Sequence, residues 1–157
     1  MRFLSQKSKA NLFIKILGFF KIPLIFFCRP KIISISDSKI VIRIKLKRRT
    51  KNHLGSMYFG ALAVGADLTG GYLALHHMQK SSKKVKLIFK DFHADFLRRA
   101  EGDVFFECAD GEKIKKLISK VLNTKKRCNE EVSVIAYVPD KFQREPVAEF
   151  KLTLSLK

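Results

Sequence analysis

Residues Asn52–His77 read "NHLGSMYFGALAVGADLTGGYLALHH". Between Lys51 and Lys80 the only formally charged residue is Asp67. The apolar residues do not alternate, and the run is too long for one strand, so the pattern predicts a single helix from Ser56 to about Leu75. Gly60, Ala61, Ala63, Gly65, Ala66, Gly70, Gly71 and Ala74 recur through it. Glycine lowers helix propensity, so these residues make sense where other backbone grips the helix closely. A helix buried on most sides also needs few charges. A lone carboxylate in such a helix asks for a chemical reason.

On either side the pattern changes to strands. After Pro30, "KIISIS" is a short strand candidate. From Lys39 to Lys47, Ile40, Ile42, Ile44 and Leu46 share one face, and Lys39, Arg43, Lys45 and Lys47 share the other with Val41 among them. Strand character resumes at Lys83, where Val85, Leu87 and Phe89 alternate with lysines; the apolar phase then switches to Phe92, Ala94 and Phe96. A phase switch inside a strand implies a bulge or bend. Gly102-Asp103 makes a turn into "VFFEC". Next, "DGEKIKKLISKVLN" spaces Ile114, Leu117, Ile118, Val121 and Leu122 as one helix face, with Asp110 as N-cap. Two last strands, "EVSVIAYV" and "VAEFKLTLSL", flank Pro139 to Pro146.

The predicted order is a helix, two strands, a long buried helix, two strands, a surface helix and two strands. This is an α+β layout, an antiparallel sheet around one central helix. The 157 residues suffice for one core. Cys28, Cys108 and Cys128 are widely spaced and odd in number, which argues for a reducing compartment and against zinc ligation. The first segment, "LFIKILGFFKIPLIFFC" from Leu12 to Cys28, is broken by Lys15, Lys21 and Pro23. It is too interrupted for a spanning helix and lacks a small-residue cleavage site. A helix from Ser8 to Phe20, ended by the approach to Pro23, covers the core or rests on a membrane surface. The expected location is cytoplasmic, with membrane association as the alternative.

The pattern resembles the hotdog superfamily of acyl-CoA thioesterases. In its phenylacetyl-CoA and human cytosolic acyl-CoA branch, an Asn opens the loop before the central helix, a His-Gly-Gly follows, and a catalytic Asp lies beyond. Asn52 matches the Asn, Tyr58-Phe59-Gly60 occupies the His-Gly-Gly positions, and Asp67 falls at the Asp position. Downstream, "FHADFLRRAEGDVFFEC" is similar to the family's strand-turn-strand, with Arg99 where Pro is usual. The resemblance covers Pro30 onward and implies a hotdog domain at 30–157, with residues 1–29 as an N-terminal helical segment packed on it. That segment looks more like a less characterised thioesterase-like branch.

The resemblance implies hydrolysis of acyl-CoA to free acid and coenzyme A, at sites on a dimer interface, in a homodimer or dimer of dimers. No cofactor or metal is required. The residues support that chemistry. A helix N-terminus offers the unpaired N–H groups of Phe59 and Gly60 to a developing oxyanion. A dry setting raises the basicity of Asp67. Asn52 could orient water or the thioester carbonyl, while Tyr58 and His53 border the substrate. Against this, Tyr58 and Phe59 replace the His and first Gly, and Phe59 lacks glycine's backbone clearance.

Thirty-two basic against 14 acidic residues give a formal charge of +18, which attracts polyanions without choosing among them. The clusters are "KLKRRTK" (Lys45–Lys51), "KSSKKVK" (Lys80–Lys86) and "KKRC" (Lys125–Cys128). Arg48 and Arg49 are candidates for coenzyme A phosphates. Nucleic acid is the less favoured partner, because the aromatics are expected at apolar, inward positions. A non-catalytic acyl or lipid binder of the same fold is the second reading.

Overall fold

The structure, a computed structural model, describes residues 5–81 and 84–157. Helix α1 (Gln6–Phe20) begins where the Ser5 hydroxyl accepts a hydrogen bond from the Ser8 N–H at 3.2 Å. A second helix, α2 (Pro23–Cys28), was not expected. Pro23 stands at its first turn, where no N–H is needed, and Arg29 ends it in the left-handed conformation.

Strands β1 (Lys31–Ile35) and β2 (Ile40–Ile44) form a hairpin. The long helix α3 (Phe59–Met78) follows, then β3 (Leu87–Phe96) and β4 (Val104–Cys108). Helix α4 (Gly111–Thr124) leads to β5 (Cys128–Tyr137), the one-turn α5 (Pro139–Phe142) and β6 (Pro146–Leu156). The six strands make one antiparallel sheet in the order β1-β2-β4-β5-β6-β3. Helix α3 packs across β2, β4 and β5, with α4 beside it. The core lies between α3 and the sheet; Leu73, Ile42, Phe106, Phe150, Leu152 and Leu154 are shut off from solvent. Ala10, Ile14, Ile25 and Cys28 of the N-terminal helices join the same cluster.

The glycines of α3 meet side chains, not the backbone that was expected. A Cβ on Gly65 would lie 2.3 Å from the Phe106 ring, so the helix approaches the sheet by the width of an aromatic side chain. Helix α3 also starts and stops about three residues later than the apolar run suggests. Its start is delayed because Met57 bridges Lys51 in extended backbone. Its end is extended because His76 and His77 reach the β1–β2 turn, through Asp37 Oδ1 at 3.0 Å and Asp37 O at 2.8 Å.

Other departures have local causes. Strand β2 stops at Ile44 because side chains then take over the backbone partners. Leu46 N–H donates to Asp103 Oδ1, and the Thr50 hydroxyl bonds Lys47 N and Lys45 O. Val41, placed among the outer lysines by alternation, is buried. The expected strand start at Lys83 lies outside the described residues. From Lys86 the chain pairs with Lys157, and the register slips between Phe89 and Asp91, which is the bulge the phase switch implied. Asp110 occupies the N-cap position of α4, but its carboxylate accepts from Ser133 N–H at 2.7 Å and makes no cap bond.

The two edges of the sheet differ. At β1, the Asn11 side chain accepts from Ile32 N–H at 2.8 Å and donates to Ile32 O at 3.1 Å. It occupies the place a neighbouring strand would take. At the other end β3 pairs with β6 alone, and among the described residues no strand lies along its outer edge.

Candidate functional site

Loop 52–58 sets the start of α3. The Asn52 carbonyl Oδ1 accepts from Leu54 N at 2.9 Å and Ser56 N at 3.2 Å, and its Nδ2 donates to Ser56 Oγ at 3.1 Å. Gly55, with φ of 82°, closes the turn in a conformation other residues rarely adopt. The loop is then pinned at two points: Met57 N–H to Ala100 O and Tyr58 N–H to Thr50 O, both 2.8 Å. Asn52 therefore organises the loop, a local use of Asn that its match to a motif did not disclose.

Tyr58 is the N-cap of α3 and offers no side-chain cap. Its carbonyl accepts from Ala61 and Leu62 N–H at 2.9 and 3.1 Å. Among the described residues nothing accepts from the N–H of Phe59 or Gly60. A helix N-terminus without a cap is an electropositive pair of donors. The Tyr58 ring stands over them, 2.6 Å from where a Cβ on Gly60 would be.

The surrounding aromatics are not inward, as expected from their apolar positions. Phe59 is 59% exposed, and Phe92 and Phe96 are exposed on β3. The rings run on from one another: Tyr58 to Phe59 at 4.7 Å between centroids, Phe59 to Phe96 at 6.4 Å, and Phe96 to Phe150 at 6.2 Å. Only Phe150 of this series is buried. The result is an open apolar strip from the start of α3 to the unpaired strand edge.

Asp67 lies two turns along α3. It shares a face with Gly60 and Ala63, the least covered stripe of a helix otherwise enclosed. One turn on, the same side of the helix meets β3, where a Cβ on Gly71 would lie 3.1 Å from the Phe89 ring. Among the described residues no donor or cation reaches the Asp67 carboxylate. Burial alone pushes its pKa above the ordinary carboxylate value.

The remaining candidates stand apart. His53 is exposed on the loop, without a hydrogen-bond partner among the described residues. Arg48 and Arg49 are exposed on the turn before it, beside Lys47 and Phe27 at a surface cleft. His93 and Asp95 pair at 3.4 Å on the outside of β3. Among the described residues no three His, Cys, Asp or Glu side chains converge as metal ligands would. Burial pushes the Cys108 thiol up to about 11 and raises that of Cys28, so neither is poised as a nucleophile. Sequence reasoning missed the part played by Arg99. Its guanidinium donates to Leu54 O and pairs with Glu101 at 3.2 Å, tying the strand-turn-strand segment to the loop before α3. The only signal was its presence where Pro is usual.

The chain belongs to the family described as a domain of unknown function, DUF4442, whose model matches residues 10–156. Among solved structures, a protein of unknown function from Pseudomonas aeruginosa, named a probable thioesterase, is 26% identical with a TM-score of 0.78; the match covers 94% of this chain and 95% of that one. A protein of unknown function from Chlorobaculum tepidum superposes with a TM-score of 0.82 at 12% identity, over 96% and 95% of the two chains. A thioesterase from Haemophilus influenzae gives 0.67 at 12% identity, over 99% and 92%. No curated protein matches. The architecture is the hotdog fold of these neighbours, two of which are named as thioesterases.

Proposed function

We propose that this member of the DUF4442 family hydrolyses acyl-CoA thioesters, with Asp67 as the base. The observation that carries the reading is the Asp67 carboxylate itself: half-buried, unpaired and raised in pKa by desolvation. A buried charge without a partner is costly, and its retention on the least covered stripe of α3 is explained by work on a substrate. In this reading Asp67 takes a proton from water as its oxygen attacks the thioester carbon. The oxyanion is held by the N–H groups of Phe59 and Gly60. The carbon–sulfur bond then breaks, and the departing coenzyme A thiolate takes up the proton.

Gly60 and Asp67 are seven residues apart, a rise of about 10.5 Å along a helix. One carbonyl cannot touch both within a single chain. Donors and base can meet only if a second copy brings its α3 alongside, so the proposed unit is a homodimer, alone or paired into a tetramer. The open edge of β3 is the surface available for that contact, with exposed Phe92 and Phe96 on its helix-side face and exposed Ile88 on the other. Asn52 acts by holding the loop, Tyr58 and His53 border the acyl group, and Arg48 and Arg49 receive the phosphates of coenzyme A.

The test is hydrolysis across a series of acyl-CoA chain lengths, with thiol release followed directly. Turnover that saturates for at least one chain length is expected. A second reading, a non-catalytic acyl binder, is favoured by one observation: the Tyr58 ring covers the site of the donors and Phe59 leaves an apolar strip beside it. Saturable binding of acyl-CoA with no thiol release at any chain length would select that reading.

A further inference from the structure

The face formed by α1 and α2 carries a surface that the proposed hydrolysis does not use. Helix α1 ends in Phe19 and Phe20, 60% and 72% exposed. Phe19 meets Phe20 and Phe26 at 4.9 and 5.3 Å between centroids, so these rings pack on one another outside the core. Leu12, Ile16 and Leu24 continue the same exposed apolar surface. No helix among the described residues is long and apolar enough to cross a membrane.

Beside this surface runs a groove of about 910 Å³ between α1, α2 and the β1–β2 hairpin, which Leu12 and Phe26 help to line. Its cations are Lys7, Lys15, Arg29, Lys31, Arg43 and Lys45, and no acidic residue lines it. None of the six is ion-paired among the described residues. Arg43 Nε is buried and has no hydrogen-bond acceptor among the described residues. A buried guanidinium N–H without an acceptor costs free energy that a bound anion would recover. No acidic residue precedes Asp37 in the sequence.

We propose that the α1–α2 face docks on an anionic phospholipid bilayer, with the Phe19–Phe20 tip in the interface and a lipid phosphate in the Arg43 groove. Charge decides the occupant. A second copy of the chain would bring cations against cations on a protein of net charge +18. A nucleic acid would satisfy the cations but leave the aliphatic and aromatic tip in water. An anionic bilayer answers both, since interfacial helices combine apolar burial with attraction to acidic headgroups. The inference stands whether or not the chain is a hydrolase.

The experiment is sedimentation of the full chain with vesicles of phosphatidylcholine alone or with 30% phosphatidylglycerol, about that fraction being enough for a strongly negative surface. Binding to the anionic vesicles only, weakened by salt, is expected. Lys31→Glu with Lys45→Glu should lower apparent affinity on the order of tenfold or more. Phe19→Ser with Phe20→Ser should lower it at low and high salt alike; both rings are exposed, so circular dichroism should show an unchanged fold. Equal binding to neutral vesicles, or none to either, overturns the proposal, and these two readings need no variant. Duplex DNA binding that outcompetes anionic vesicles overturns it in favour of nucleic acid. A change of subunit number in the lipid-free Phe19→Ser, Phe20→Ser chain overturns it in favour of a contact between copies. Coenzyme A that displaces the protein from vesicles through the Lys31 and Lys45 groove would show that the groove serves a soluble phosphate, and would overturn it too.

Discussion

Tyr58 stands over Gly60, with its Cε1 2.6 Å from the point a Cβ would occupy. The ring is half exposed and free to swing outward, so Gly60→Ala should cost little stability, under about 1 kcal/mol by the helix preference of Ala over Gly working the other way. The same swing would change how the Tyr58 ring covers the N–H groups of Phe59 and Gly60. If the N–H groups there hold an oxyanion, kcat/KM should fall on the order of tenfold to a hundredfold, the scale of a small misplacement. An unchanged rate in a folded Gly60→Ala protein would remove these donors from the mechanism.

Asp67→Asn keeps shape and removes the basic carboxylate. Hydrolysis should drop by at least about 100-fold, while acyl-CoA binding persists. Stability should hold or rise at neutral pH. The folded pKa of Asp67 is above its unfolded value, so its burial favours the fold at low pH and that contribution is lost as pH rises through the raised pKa. The neutral amide escapes this loss. Activity has the opposite slope: kcat/KM should fall as pH drops through the raised Asp67 pKa, above the usual 3.8. A pH–rate profile and a melting curve on the same preparations separate the two effects.

Reversal of Arg48 and Arg49 to Glu tests the capture of coenzyme A. Both are exposed, so folding should be unaffected. KM should rise with kcat nearly constant, and the difference should shrink as salt is added. A loss confined to kcat would place these residues elsewhere in the reaction.

Assembly is checked by light scattering at micromolar concentration. A mass of at least twice the 18.0 kDa of the chain is expected. Ile88→Lys puts a charge on the exposed face of β3, where Ile88 is 54% accessible, and should shift the mass toward that of a single chain and abolish turnover together. A stable wild-type monomer that still turns over would refute the shared site.

Asp37 gives one contribution to stability that acid removes. Its carboxylate is bonded by Lys80 and then by His76, which holds its pKa at about 2 against an ordinary 3.8. A depressed pKa stabilises the fold above the unfolded value and loses that contribution as pH falls through the folded one. The stability gap between wild type and Asp37→Asn should therefore close as pH falls from about 4 toward 2. Urea midpoints across that window measure it.

The sequence spelled out what depends on period. Alternation in Ile40–Ile44, the uncharged run of α3 and the phase slip at Phe89–Asp91 all correspond to elements of the sheet and its helix. What it concealed depends on which partner arrives. Val41 alternates with the outer residues yet is buried. Asn52 matches a reactive position, but its side chain is spent on Leu54 and Ser56. Phe92 and Phe96 look like core residues because apolarity does not say whether the cover is this chain or another. Residues Pro23–Cys28 read as the broken tail of one helix, since Pro23 both ends a helix and begins one. The candidate site was legible as types and spacings; its openness and the hold of Arg99 on the loop were not.

The Asn11 clasp on Ile32 gives the sheet a polarity of growth. A sheet with two bare margins can recruit copies without limit, in the manner of a fibre. Here one margin is blocked at Ile32 by a side chain from the same molecule, while among the described residues nothing lies along the outer edge of β3. Any association through that margin uses it up in both participants. If copies do join through β3, the Asn11 amide at Ile32 is one device that keeps the far margin from continuing the sheet, and Asn11→Ala should raise the tendency of such a sheet to extend.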